Sequence, residues 1–337
     1  MAARNARPQQ WAREKLNTLM SVAEEPDQNA LRALQSEDFS RARELYGELV
    51  EQFPDEYEYA CGFFTAGYWD NRKERIGSLK PGRAQGDWLV REWEQFQVLA
   101  EEKDFQSCRA FRGAMQAVLG RAAEQFRTAF QQEGRAGIDL EVLKDLAVCL
   151  IKTQDYKNAS DILNFARRTH PGNADLFFLL GESLCSLDRP EQRERGMEYY
   201  RDAFLINHTS IDPTLISSEP AASIFSNLYA EKKEKLEDVI EWFPAYMMLH
   251  AFFPGLRRLA PEEIDGLEHE LSRLMQDRSV VVEKFQDRVT ARLMFFHLIL
   301  LQHYRFHEKN PDRQRDLEEG VRELAPDIHK QYRELKI

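Results

Sequence analysis

Apolar side chains recur along the chain at steps of three and four residues, and the runs close with a proline. The first run has steps of 3, 4, 3 and 5 residues: Phe39, Ala42, Tyr46, Leu49 and Pro54. A second run repeats these steps: Tyr156, Ala159, Leu163, Ala166 and Pro171. Steps of three and four keep all members on one helix face, and proline ends a helix that it cannot continue. The pattern therefore predicts amphipathic α-helices.

The runs themselves recur with a fixed period. Further copies lie at 119–134 and 196–208, and a weaker copy lies at 89–99. From Ala122 to Ala159 is 37 residues, and from Ala159 to Gly196 is another 37 residues. A sustained period of this size is typical of stacked helix pairs. Ala or Gly occupies the recurring small position, where a larger side chain would overpack the contact between two helices.

Two predicted helix pairs at 140–208 share an order of residues with a known family. The first pair has Leu143-x2-Leu146-Ala147-x2-Leu150, followed by the run that begins at Tyr156. The second has Phe177-x2-Leu180-Gly181-x2-Leu184, and its partner helix follows after an insertion around Arg189 and Pro190. This order resembles the tetratricopeptide repeat, whose pattern is W-x2-L-G-x2-Y, A-x3-F and a closing P.

The resemblance covers about half of the chain. It is strong over 140–208, moderate over 23–54 and weak over 57–135, where the loop SLKPGRAQGD lengthens one unit. It implies an all-α fold, a right-handed superhelical solenoid of TPR-like helix pairs with an atypical C-terminal third.

The chain divides into four predicted regions. An N-terminal helix or arm covers 1–22, and TPR-like repeats cover 23–208, most clearly 140–173 and 174–208. The segment TSIDPTLISSEP makes 209–220 a connection, because it is rich in turn formers and has no helical period. The region 221–337 is again helical, including one helix around 280–309, and forms either degenerate repeats or a cap.

The charge of the chain indicates its class of partner, and its cysteines and apolar runs indicate its compartment. The chain has 46 Lys and Arg against 57 Asp and Glu, a formal net charge of −11, which repels polyanions and argues against nucleic acid as a partner. No run reaches the ~20 apolar residues of a membrane span. Cys61, Cys108, Cys149 and Cys185 are 47, 41 and 36 residues apart, which indicates buried thiols in a reducing compartment. We therefore expect a cytoplasmic protein without a direct membrane span.

Signatures of catalysis are missing from the sequence. It contains no G-x-S-x-G elbow, no GxxxxGK[ST] phosphate loop and no G-x-G-x-x-G fingerprint. His303 and His307 are four residues apart on one predicted helix, with His297 and Glu308 nearby, so a metal-dependent helical enzyme is an alternative. The H-E-x-x-H arrangement is absent, and no third ligand is determined. We expect no enzyme, no cofactor and no metal site.

An aromatic stretch at 242–256 has two interpretations. It contains Trp242-Phe243-Pro244 and Phe252-Phe253-Pro254, and large apolar residues are mostly buried in soluble chains, so we expect core. If the stretch were exposed, it would mark a docking patch. The alternative function is then a structural subunit of a membrane-associated machine, such as a bacterial flagellar motor or secretion system.

The resemblance also implies a binding surface, because first helices of such repeats line a concave groove. Carried onto this chain, the outward positions of two first helices are Glu141, Lys144, Asp145, Val148 and Lys152, and Asp175, Phe178, Leu179, Glu182 and Ser186. Their mixed character favours a basic-amphipathic peptide or a folded protein partner over an acidic tail. Val148 and Leu179 hold the Asn places of the family's carboxylate clamp, so that clamp is not expected.

These observations predict a non-catalytic scaffold or adaptor for protein–protein interaction, within a larger assembly. Other proteins are the expected partners, and self-association is possible. The alternative for the groove positions is that they are only solvated.

Overall fold

The computed structural model describes residues 26–133, 139–209, 211–232, 235–250, 252–253, 257–278 and 281–334. Within these ranges the chain is all-helical and contains no β-strand, as predicted. It forms two compact units, unit 1 at Met1–Asp155 and unit 2 at Tyr156–Ile337. The predicted N-terminal arm at 1–22 lies outside the described residues.

Unit 1 contains the first seven helices. They are α1 (26–35), α2 (Phe39–Gln52), α3 (Tyr57–Asp70), α4 (Lys73–Ser78), α5 (Arg83–Glu101), α6 (Arg109–Glu133) and α7 (Leu140–Lys152). Local caps determine where some of them begin: the Asp38 carboxylate accepts from the Arg41 N–H before α2, and the Asp139 carboxylate accepts from the Glu141 N–H before α7.

The long helix α6 is the centre of unit 1. It packs against α3, α5 and α7, and its Gly113 lies against Leu31 of α1. The core beside it is a cluster of stacked and tilted rings. Trp93 lies 5.1 Å from Phe111, 5.4 Å from Phe96 and 6.3 Å from Trp69, measured between ring centroids. Aromatic side chains of this size supply most of the buried apolar area of such a core.

Unit 2 contains the remaining nine described helices. They are α8 (Tyr156–Thr169), α9 (Ala174–Cys185), α10 (Pro190–Asn207), α11 (Ala221–Lys232), α12 (Leu236–Leu249), α13 (Pro261–Arg278), α14 (Glu283–His303), α15 (Pro311–Leu324) and α16 (Pro326–Glu334). Helix α14 packs against α12, α13 and α15.

Helices α9 and α10 of unit 2 approach each other closely. A Cβ added at Gly196 would lie 2.8 Å from the Cys185 backbone nitrogen and 3.0 Å from the Gly181 carbonyl oxygen. A Cβ at Gly181 would lie 2.7 Å from the Tyr200 ring. The prediction that small residues allow close helix approach is therefore confirmed at this pair.

The boundary between the two compact units lies within the predicted repeat at 140–173, between α7 and α8. Two other predicted segments differ from the observed helices. Most of the expected loop SLKPGRAQGD is helical, because α5 already begins at Arg83. The expected single helix at 280–309 ends at His303, and a π-helical turn at Tyr304–Glu308 follows it.

Two further predictions concern solvent and membrane exposure. All four cysteines are buried and none forms a disulfide, as expected. Across the described ranges, none of the helices combines the length and the apolar character that crossing a bilayer needs.

Candidate functional site

Helix α7 carries the first half of the predicted groove at an accessible surface. Glu141 is exposed, and Lys144, Asp145, Val148 and Lys152 are half-buried. The opposite face of α7 is buried and packs on α6. The amphipathic spacing of the sequence therefore places these five side chains on the outer side of unit 1.

Three carboxylates approach one another between α5 and α7. Burial is the largest cause that raises the pKa of Asp145, to about 6, and the charges of Asp87 and Glu141 add to it. Arg83 and Lys144 act in the other direction. Both cations already have carboxylate partners: Arg83 Nε lies 3.7 Å from Asp87 Oδ2, and Lys144 Nζ lies 3.5 Å from Glu141 Oε1.

The surroundings of Asp145 differ from those of Asp87 and Glu141. Among the described residues, no cation lies within ion-pair distance of its carboxylate, and no hydrogen bond to it is found. A half-buried carboxylate in this position gains from an added positive charge, because that charge would offset both its lost hydration and its acidic neighbours.

Helix α9 does not present the second half of the groove as predicted. Phe178 and Leu179 expose only 2% and 3% of their surface, and Glu182 exposes none. Phe178 packs against Tyr200 of α10 with ring centroids 5.5 Å apart. The expectation that these three side chains point outward is wrong, because α9 is surrounded by neighbouring elements within unit 2. Asp175 and Ser186 are half-buried.

The buried Glu182 is the centre of a hydrogen-bond cluster. Its Oε1 accepts from the backbone N–H groups of Ser217 and Ser218, both at 2.8 Å, and from Ser217 Oγ at 2.7 Å. Its Oε2 accepts from Ser218 Oγ at 2.8 Å and from the Tyr200 hydroxyl. Burial, followed by the charge of Glu182, raises the pKa of Tyr200 well above its ordinary value.

The sequence alone did not identify Ser217 and Ser218 as partners of Glu182. The dipeptide lies in the predicted connection, 35 and 36 residues beyond the carboxylate, and no periodic pattern links the two. A weak signal was available: a Glu on a strongly apolar helix needs donors if it is buried, and a Ser-Ser pair supplies four.

The histidines of the metal alternative do not form one cluster. His297 is buried on α14, where its Nδ1 lies 2.7 Å from the Leu293 carbonyl oxygen and its ring faces Gly320 of α15. His303 is buried and His307 is exposed, with ring centroids 5.7 Å apart. Within the described part of the chain, no group of three or more potential metal ligands is found.

The aromatic stretch lies in the core of unit 2, as expected. Trp242, Phe243 and Tyr246 of α12 are buried, and so are Phe252 and Phe253 that follow. The Phe243 ring lies 6.0 Å from that of Phe204 in α10. These residues therefore do not form an exposed docking patch.

A comparison with protein-family models, curated proteins and solved structures finds no match for the chain. The class that the geometry defines is a helical protein of two compact units, with a partly acidic accessible face on α7 and a covered carboxylate on α9.

Proposed function

We propose that this protein is a non-catalytic interaction scaffold whose α7 face binds a basic segment of a partner protein. The observation that supports this is Asp145, a half-buried carboxylate beside Asp87 and Glu141 with no cation of the described residues within ion-pair distance. A Lys or Arg of the partner would supply that cation, while Val148 offers apolar contact one turn along the helix.

The solenoid interpretation belongs to the same proposal. Close helix contacts at Gly181 and Gly196 and the repeated 37-residue spacing are consistent with TPR-like helix pairs. Preformed helices reduce the ordering cost of binding, which suits a scaffold within a larger assembly. The net charge of −11 favours encounter with a basic partner.

Fluorescence anisotropy of a labelled peptide tests the proposal by measuring its affinity for the protein. The basic peptide is amphipathic and Lys-rich, and a Glu-substituted peptide of the same length is its acidic counterpart. Asp145→Asn keeps the shape and removes the charge, and we expect it to weaken binding of the basic peptide by roughly tenfold. Asp161→Asn is the matched control, because it removes one exposed carboxylate from α8 and should leave affinity unchanged.

The pH dependence gives a second criterion. Since the pKa of Asp145 is about 6, its charge is largely lost at pH 5, and binding of the basic peptide should be weaker there than at pH 7.5. In Asp145→Asn this pH dependence should disappear. The proposal would be contradicted if the wild type and Asp145→Asn bound the basic peptide with equal affinity. Equal binding of the basic and acidic peptides to the wild type would contradict it as well.

A further inference from the structure

The segment at 211–220 contacts α9 as a largely non-helical peptide. Its only regular element is the short 3-10 turn Pro213–Leu215. The residues on either side, Asp212 and Ile216, have extended backbones with ψ of 104° each. Ser217 and Ser218 then meet the Glu182 carboxylate through both of their N–H groups and both of their hydroxyls.

The groups around Glu182 supply both of its oxygens with donors. The N–H groups of Ser217 and Ser218 can only donate, so Oε1 acts as their acceptor, and the hydroxyls of Ser217, Ser218 and Tyr200 also lie within hydrogen-bond distance of the carboxylate. Ser186 Oγ adds a longer contact at 3.4 Å. In the part of the chain that the structure describes, no cation pairs with Glu182. The hydrogen-bond partners of Glu182 are therefore neutral groups, most of which the segment supplies.

The segment has both buried and exposed side chains. Ile211, Leu215 and Ser218 are buried, whereas Asp212, Thr214, Ser217 and Glu219 are exposed. Leu215, which exposes 3%, is the apolar anchor nearest to the Ser-Ser pair. The exposed side of Ser217 shows that solvent reaches the edge of the carboxylate contact.

We propose that the Glu182 face of α9 is a binding site for a short, largely non-helical polypeptide segment, and that residues 211–220 are a displaceable strap which occupies it in cis. The ligand class follows from the strap: a segment with two consecutive Ser or Thr residues, preceded by an apolar residue two positions before the first of them. This site is separate from the α7 face and does not depend on the function proposed for that face.

Displacement is chemically reasonable because hydrogen bonds to a carboxylate exchange with hydrogen bonds to water at modest net change in free energy. A competing segment with the same donors replaces them one for one. A negative charge placed at 217 has the opposite effect, since it would lie against the Glu182 carboxylate, with which no cation of the described residues forms an ion pair.

Hydrogen exchange on the full chain tests the strap directly. In Ser217→Glu we expect the amides of residues 217 and 218 to exchange at least about tenfold faster than in the wild type, while α9 and α10 keep their protection. Glu182→Gln removes the like charge, so the double variant should exchange at the rate of Glu182→Gln alone. Ser272→Glu adds the same charge at an exposed position of α13, and it should leave the exchange rates of the amides of 217 and 218 unchanged.

Binding in trans tests the site. A fluorescein-labelled peptide with the sequence of 211–220 should bind Ser217→Glu and fail to bind the wild type, whose site is occupied. The same peptide with both serines replaced by Ala should bind the released variant at least about tenfold more weakly, because two donors are lost.

Three results would overturn the proposal. Unchanged exchange in Ser217→Glu would show that the segment is not displaceable. Loss of protection throughout α8 to α10 would show that it is part of the folded core. Failure of the peptide to bind the released variant would show that α9 offers no site for a second segment.

Discussion

Unit 1 and unit 2 are both built from helices, but they bury different chemistry. The core of unit 1 is a cluster of aromatic rings around Trp69 and Trp93, and most charged side chains of unit 1 lie at the surface. Unit 2 buries Glu182, Arg201 and His303 among apolar helices. Helical periodicity is therefore compatible with two kinds of interior, one stabilised by apolar contact and one that also depends on hydrogen-bonded polar groups.

The two interiors should respond differently to substitution and to pH. A ring cluster loses stability in proportion to the volume removed, and it is indifferent to protonation. Buried ionisable groups depend on their charge state, because an unpaired charge without water is costly. The three predictions below test this difference.

The largest effect is expected in unit 1. Trp93 exposes 2% and contacts three other rings, so Trp93→Ala should reduce the free energy of unfolding of unit 1 by about 3–5 kcal/mol. Urea titration followed by hydrogen exchange of peptides from each unit would measure it. Val98→Ala, on the same helix but 57% exposed, should cost less than about 0.5 kcal/mol. A similar loss in the two variants would contradict the ring cluster as the main source of stability.

An intermediate effect is expected at the close helix pair of unit 2. Gly196→Ala forces a methyl group against backbone atoms of α9, so it should destabilise unit 2 by about 1–3 kcal/mol despite the better helix propensity of Ala. Gly266→Ala in α13 is the control. Nothing lies within 4 Å of its added Cβ, and it should stabilise unit 2 by about 0.5–1 kcal/mol. Stabilisation by both variants would show that α9 and α10 are farther apart than described.

The smallest effect is expected when pH falls from 7.5 to 5.5. The free energy of unfolding should then change in opposite directions in the two units. Burial lowers the pKa of His297 and His303, so the folded state of unit 2 takes up fewer protons than the unfolded state, and its stability falls as pH decreases. The pKa of Asp145 is raised to about 6, so unit 1 gains stability over the same range.

Each contribution should be about 1 kcal/mol or less, since solvent screens groups that are partly exposed. Burial acts to raise the pKa of Glu241, but the hydrogen bonds from His208 and Arg292 lower it to about 2, so Glu241 stays ionised throughout this window. Hydrogen exchange of each unit at both pH values would measure the signs. Asp145→Asn should abolish the gain in unit 1, and a gain that persists would assign it to other groups.

Local elements were predictable because their information is local. The apolar steps that begin at Phe39 and Tyr156 coincide with α2 and α8. The small position at Gly196 was also recognisable, since close helix packing needs a small residue wherever it occurs. For the candidate site, the outer face of α7 followed from the same spacing.

Other features depended on residues far apart in the sequence. The Ser217 and Ser218 donors reach Glu182 across 35 and 36 positions, and no helical period encodes such a contact. His303 and His307 are spaced for one helix face, but the π-helical turn at Tyr304–Glu308 changes their relation. The sequence pattern could not show this, because both helix types are compatible with the same residues over one turn.

By itself, the sequence determined an all-helical chain, the position of most helices, its acidic charge and the small residues at helix contacts. Only the tertiary structure decided which helices share a unit and that α9 is covered whereas α7 is accessible. It also decided that a segment distant in sequence donates hydrogen bonds to Glu182. The physical reason is that helix formation depends on neighbours within one or two turns, whereas burial depends on every element that packs against a residue.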